Sequence, residues 1–155
     1  TAASEFEILA PVSGELVHLE NTNDPAFSSR AVGDGVAVVP QEGTVCAPVS
    51  GTVAALFPTE HALGIMSDDS SAQVMLHIGI DTVKLEGKGF HALVAQGDHV
   101  DAGQPLVEVD FDVVRAAGFD PTVFVIVCER SENSTLREHA SGPVAVKEPV
   151  VWLSE

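Results

Sequence analysis

Apolar and polar residues alternate over short stretches of this chain, and the pattern predicts β-strands separated by turns. The clearest stretch is VMLHIGI, residues 74–80. Successive side chains of a strand point to opposite faces, so Val74, Leu76, Ile78 and Ile80 are predicted to share a core face. Gln73, Met75, His77 and Gly79 fall on the other face, where the glycine is expected to leave the space beside His77 open to another molecule. Similar runs are VGDGVAVVP, HALVAQGDHVDAGQPLVEVD, TVFVIVCE and EPVVWL, with Gly-Asp turn signals at 33–34 and 97–98. One helix is predicted in DFDVVRAAGFD (110–120), opened by an acid and stopped by Gly118, and a further helical turn in SENSTLREHASG (131–142). The pattern implies an all-β fold, an antiparallel β-sandwich or barrel with one or two short helices.

An internal echo sharpens this picture. LAPVSGELVHL (9–19) and CAPVSGTVAAL (46–56) share Ala-Pro-Val-Ser-Gly followed by an alternating strand, 37 positions apart. Pro and Gly set the turn and the apolar run sets the strand, so the two copies are expected to form equivalent corners of one β structure.

Composition narrows the possible partners. Among 155 residues, 23 are acidic and 7 basic, a formal charge of −16. Such a surface repels nucleic-acid phosphates and anionic lipid; it either serves solubility or attracts a basic protein. Hydrophobic content of 45% is enough for one packed domain. Cys46 and Cys128 lie in apolar β-type contexts and are predicted to be small buried hydrophobes. No run reaches the roughly 18 apolar residues of a membrane span, and no signal peptide is visible, so the cytoplasm is expected. The chain begins at Thr1 rather than Met, so residues 1–4 read as a linker or cloning remnant and 5–155 as the domain.

Six histidines are present. His18, His91, His99 and His139 occupy polar or turn contexts, whereas His61 and His77 sit in apolar runs, TEHALGI and VMLHIGI. Thr59 has the same strand parity as His61, so its hydroxyl is expected beside the ring, fixing a tautomer or donating to a bound anion. Two such imidazoles leave three chemistries open. They could hold zinc, which needs further ligands; they could act as acid and base; or one could accept a phosphoryl group while the other bonds its oxygens.

EHALGI followed by LHIGIDTVKLEGKGF resembles the signature of the enzyme IIA domains of the glucose family in the bacterial phosphoenolpyruvate–sugar phosphotransferase system. The resemblance extends over nearly the whole chain, through APVSGELVHLENTNDPAFSSRAVGDGVAVVP, APVSGTVAALFPTEHALGI and GDHVDAGQPLVEVD. It implies an antiparallel β-sandwich and a phosphotransferase component with a phosphohistidine intermediate. His77 would accept the phosphoryl group from a histidine phosphocarrier protein, with His61 and Thr59 stabilising it, and a cysteine of a IIB domain would receive it for sugar uptake. Cys46 and Cys128 do not match that acceptor. The resemblance further implies a docking surface on Asp24, Phe27, Ala31, Val32, Phe57, Met75 and Asp81, the two acids meeting basic partner residues and the apolar ones excluding water. No cofactor and no metal of the domain's own is expected, although His61 and His77 can share a zinc ion with a partner. The alternative within the family is a regulatory protein that binds targets according to its phosphorylation state. A cytoplasmic domain tethered to a membrane permease, without membrane insertion or nucleic-acid binding, is the expected setting.

Three departures stand out. Ala31 and Met75 occupy positions where bulkier residues are expected, MSDDSSAQ (66–73) carries what reads as one extra residue, and Glu60 replaces a neutral polar residue. Two other classes lack their signatures. A lysostaphin-type zinc peptidase needs a second histidine where LHIGID has glycine, and a biotinyl or lipoyl carrier needs an exposed hairpin lysine unlike Lys84, Lys88 or Lys147.

Overall fold

The computed structural model describes residues 5–69 and 71–154. In chain order the strands are β1 (Phe6–Leu9), β2 (Gly14–His18), β3 (Asp34–Pro40), β4 (Thr44–Cys46), β5 (Gly51–Leu56), β6 (Ala62–Ser67), β7 (Ala72–Ile78), β8 (Phe90–Ala92), β9 (His99–Val100), β10 (Pro105–Val109), β11 (Val123–Arg130), β12 (Thr135–Glu138), β13 (Gly142–Val144) and β14 (Pro149–Ser154). Helices α1 (Pro25–Ser28) and α2 (Phe111–Ala116) and two 3-10 turns, Leu19–Asn21 and Thr82–Leu85, complete the described elements. An eight-stranded sheet runs β13-β2-β3-β11-β7-β6-β5-β9, and two three-stranded sheets, β1-β14-β12 and β4-β10-β8, are separate from it. The strand pairings are antiparallel, as the alternation implied.

One face of the large sheet carries the main core. Leu16, Val36, Val38, Val53, Leu63, Ile65, Val74, Leu76, Ile78, Val123 and Val125 pack there with Ile8, Val107 and Val151 of the smaller sheets. Burying such side chains contributes about 1.5–3 kcal/mol each relative to leaving them in water. The opposite face bears a smaller cluster, in which Leu19 and Phe27 lie on Ala37, Phe124 and Ile126.

The echoed corners are equivalent in space. Leu9 N–H donates to Pro48 O at 2.9 Å, and Cys46 N–H donates reciprocally to Pro11 O at 2.7 Å. Ser13 Oγ accepts Val146 N–H and Ser50 Oγ accepts Ala102 N–H, both at 2.8 Å. Gly14 pairs with Val144 as Gly51 pairs with Val100. At either glycine a Cβ would collide with a strand carbonyl, that of Val39 or of Met66. The order of the large sheet is likewise two-fold, with the axis between β11 and β7, where His77 opposes Phe124 and Met75 opposes Ile126.

The structure corrects several local expectations. Residues 135–138 form β12, not a helical turn, because they pair along β14 and Leu136 packs on the core. Helix α2 lies where expected, its cap Asp110 accepting Asp112 N–H and Val113 N–H. Helix α1 was not expected; Asp24 caps it by accepting Ala26 N–H at 3.0 Å, and Pro25 preorganises its first turn. Cys46 is buried, but Cys128 is exposed, since β11 shifts register against β7 after Val127. Residues 1–4 and Ser70, within the segment read as carrying an extra residue, lie outside the described residues.

Candidate functional site

Strand pairing brings two imidazoles together on the open face of the large sheet. His77, near the end of β7, lies opposite Ala62 of β6, and Ile78 N–H donates to His61 O at 2.8 Å. The two rings therefore stand side by side, with centroids 5.1 Å apart and planes at 87°.

His61 follows a tight turn in which Glu60 N–H donates to Phe57 O at 2.8 Å. Glu60 adopts a left-handed φ of 63°, and its carboxylate accepts Ala92 N–H at 3.0 Å, fastening the turn to β8. Thr59 Oγ1 thereby reaches 2.6 Å from His61 Nδ1. The two side chains meet as expected, through this turn and not through strand alternation. A hydroxyl can donate or accept; where it donates to Nδ1, His61 carries its own proton on Nε2.

His77 is fixed in the opposite sense. Its Nδ1–H donates to Gly79 O at 2.8 Å, since a carbonyl can only accept, which leaves the lone pair of the neutral ring on Nε2. Burial pushes His61, only 3% exposed, down to about 4, with a further push from His77. Burial also lowers His77, opposed by the Gly79 carbonyl and the charges of Asp24 and Asp81. Both rings are neutral at pH 7.

Gly79 has a different role from the one expected. Its φ is 80°, and a Cβ would collide with Thr82 and crowd Asp120 O, so the glycine answers packing beneath the turn, not open space beside His77. The same turn ends β7 at Ile78 and puts Ile80 with Met75 on the smaller cluster, not on the core face. The carbonyl of Gly79 is a site group that strand alternation could not reveal.

Aromatic rings wall the pair. Phe27 tilts against His77 at 5.2 Å and stacks on Phe124 at 4.5 Å, while Phe57 meets His61 edge-on at 5.5 Å. Phe27 is 5% exposed and so forms a wall, whereas Phe57 is 47% exposed. Ala31, Val32 and Asp81 are exposed, and Met75 and Asp24 are half-buried. Opposite Met75 in register stands Gly64, whose missing side chain leaves the surface open. Arg30 braces the segment carrying Ala31 and Val32 through ion pairs to Glu20 and Glu138 at 2.8 Å and Asp34 at 3.0 Å.

The other histidines stay apart from the pair. His18 Nε2 bonds His139 O, His139 faces Glu148, and His91 is exposed. His99 pairs with Asp68, whose hydrogen bond and charge raise its pKa. His61 and His77 offer two nitrogens to a metal, fewer than tetrahedral zinc takes, and among the described residues no group of three or more His, Cys, Asp or Glu is placed to hold one. No described helix is long and apolar enough to cross a membrane.

Comparison with known proteins identifies the family and the fold. Residues 6–133 match the model of the phosphoenolpyruvate-dependent sugar phosphotransferase system, EIIA 1 family. The chain is 41% identical over 93% of its length to the PTS system glucose-specific EIICBA component of Streptococcus pneumoniae, of which it spans 20%. It is 42% identical over 95% of its length to the PTS system beta-glucoside-specific EIIBCA component of Bacillus subtilis, of which it spans 24%. The solved glucose permease IIA from Mycoplasma capricolum superposes with a TM-score of 0.87 at 35% identity, covering 96% of this chain and 95% of that one. This chain belongs to the EIIA 1 family of the phosphoenolpyruvate-dependent sugar phosphotransferase system.

Proposed function

We propose that this domain carries phosphoryl groups, accepting them on His77 Nε2 from the phosphohistidine of a histidine phosphocarrier protein and passing them to a IIB-domain cysteine. The observation that carries this reading is the Nδ1–H bond of His77 to Gly79 O, which leaves Nε2 as the nucleophile. In the transfer, the donor's P–N bond breaks and its electron pair returns to the donor imidazole as His77 Nε2 bonds to phosphorus. The His77 ring keeps its Nδ1 proton and gains positive charge, which the Gly79 carbonyl and the carboxylates of Asp24 and Asp81 favour. His61, held by Thr59, donates from Nε2–H to the phosphoryl oxygens. Such loose transition states demand positioning and charge stabilisation more than covalent machinery.

The exposed apolar residues Phe57, Val32 and Ala31, with Met75 behind them, would exclude water beneath a docked partner, while Asp24 and Asp81 attract its basic groups. The −16 charge supports a basic partner. Because the relatives are EIICBA and EIIBCA components, residues 5–155 would be the IIA part of such a system, on the cytoplasmic side and tethered to the permease, with the IIB acceptor in the same chain. Intact mass after incubation with phosphoenolpyruvate, the first enzyme of the system and the phosphocarrier tests the reading. One acid-labile phosphoryl group is expected, and none in His77→Gln; no gain in the unaltered protein overturns it.

A further inference from the structure

Nothing in the His61–His77 pair itself explains why the Gly79 carbonyl points at His77. The answer lies on the turn before β11. Gly79 O and Ile80 N–H belong to one planar trans peptide and point in opposite directions. Ile80 N–H donates to Asp120 O at 2.9 Å, and Gly79 N–H donates to Thr122 O at 2.8 Å. The turn at 120–122 thus sets the peptide whose carbonyl holds His77.

The side chain of Asp120 braces that turn and reaches beyond it. Its Oδ1 accepts Thr122 N–H at 2.9 Å and the Thr122 hydroxyl, and its Oδ2 accepts Asn23 Nδ2–H at 3.0 Å. Asn23 precedes Asp24, the cap of α1, and α1 presents Phe27 to the His77 ring. Partial burial alone would raise Asp120, yet the bonds from Thr122 and Asn23 hold its carboxyl below the usual range, so it stays ionised and accepting on both oxygens.

We propose that Asp120 is a positioning residue with two arms, one orienting His77 through the Gly79–Ile80 peptide and one holding the 23–32 docking segment in register with it. The inference rests on reading His77 as the phosphoacceptor. Removing both arms and removing one then have different consequences. Asp120→Ala frees the turn, so the Nδ1–H tautomer of His77 becomes mixed and kcat falls about tenfold or more. Asn23→Ala and Asn23→Leu break only the docking arm, because neither side chain can donate to Asp120 Oδ2 while the bonds from Thr122 to Oδ1 remain. Losing one hydrogen bond of that kind corresponds to roughly a fivefold rise in KM for the phosphocarrier, with kcat kept.

The test joins long-range 1H–15N NMR of the histidine rings to transfer kinetics with two donors, the phosphorylated carrier and phosphoramidate, which needs no docking. Asp120→Ala should shift the His77 nitrogens and slow both donors. Asn23→Ala and Asn23→Leu should leave the nitrogens unchanged and slow the carrier alone at subsaturating concentration. Unchanged His77 nitrogens in a folded Asp120→Ala protein overturn the orienting arm. Unchanged carrier KM in both docking-arm variants overturns the coupling, and these milder variants also carry the test if Asp120→Ala does not fold. If the unaltered protein accepted no phosphoryl group, the phosphoacceptor reading would fall by itself, while the NMR comparison would still judge the orienting arm.

Discussion

The two halves of the large sheet share a scaffold but not a site. Strands β13, β2, β3 and β11 are related to β9, β5, β6 and β7 by the two-fold between β11 and β7. Under that relation His61 corresponds to Asp34, since Gly14 opposes Pro40 as Gly51 opposes Ser67, and His77 corresponds to Ile126. In one half a short turn, 57–61, joins the hairpin and lays no connection across the face, where His77 is half-buried beside the buried His61. In the other, the longer connection 19–33 folds Leu19 and Phe27 onto Phe124 and Ile126 and fills the face. Asp34 is tied to Arg30 and Arg130. The covered half still borders the imidazole pair, because its connection supplies the Phe27 wall and the segment proposed to dock partners. Under the proposed function, a duplicated scaffold gives chemistry on one side and recognition on the other.

The largest effects follow from making the open half resemble the covered one. His77→Gln removes the nucleophile, and no acid-labile phosphate should form with any donor. His61→Gln keeps the nucleophile but loses a donor to the phosphoryl oxygens. It should still be phosphorylated by the carrier while onward transfer to a IIB domain falls about 10²-fold or more, as loss of a preorganised donor does. Undiminished sugar-linked turnover in that variant would contradict the division of labour between the histidines.

A pH dependence should separate the halves by stability. His61 takes its proton near pH 4 in the fold and near the ordinary 6.5 when unfolded. Between those values the unfolded chain binds more protons, so stability is full above about pH 6.5 and falls as pH drops toward 4, by about 3 kcal/mol from this group. Denaturation at stepped pH should show the slope in the unaltered protein and a shallower one in His61→Asn. Arg30→Met, in the covered half, should lower stability while leaving the His61 part of the slope in place. The smallest effect belongs to Thr59→Val, which keeps both imidazoles and removes one hydroxyl; onward transfer should slow by roughly fivefold, the worth of about one hydrogen bond.

Much of this was legible in the sequence because it depends on local pattern. Alternation gave the faces of β7 as far as Ile78, and the repeated Ala-Pro-Val-Ser-Gly gave the equivalent corners. What escaped depended on contacts between distant segments. Ile80 leaves the core face because Gly79 turns the chain there, and the reason for that glycine lies in Thr82 and Asp120 beneath it. Residues 135–138 have a composition suited to a helical turn, but pairing with β14 makes them a strand. The reason for Glu60 beside His61 lies 32 residues away, where its carboxylate accepts Ala92 N–H. The Gly79 carbonyl is invisible to any reading of side chains, since every residue has one.

The most direct measurement is the position of the phosphoryl group, read by 31P and long-range 1H–15N NMR on the phosphorylated protein. A phosphoryl group on His77 Nε2, with the Nδ1 proton still bonded toward Gly79 O, is the predicted result. Phosphate on His77 Nδ1, or on His61, would contradict it.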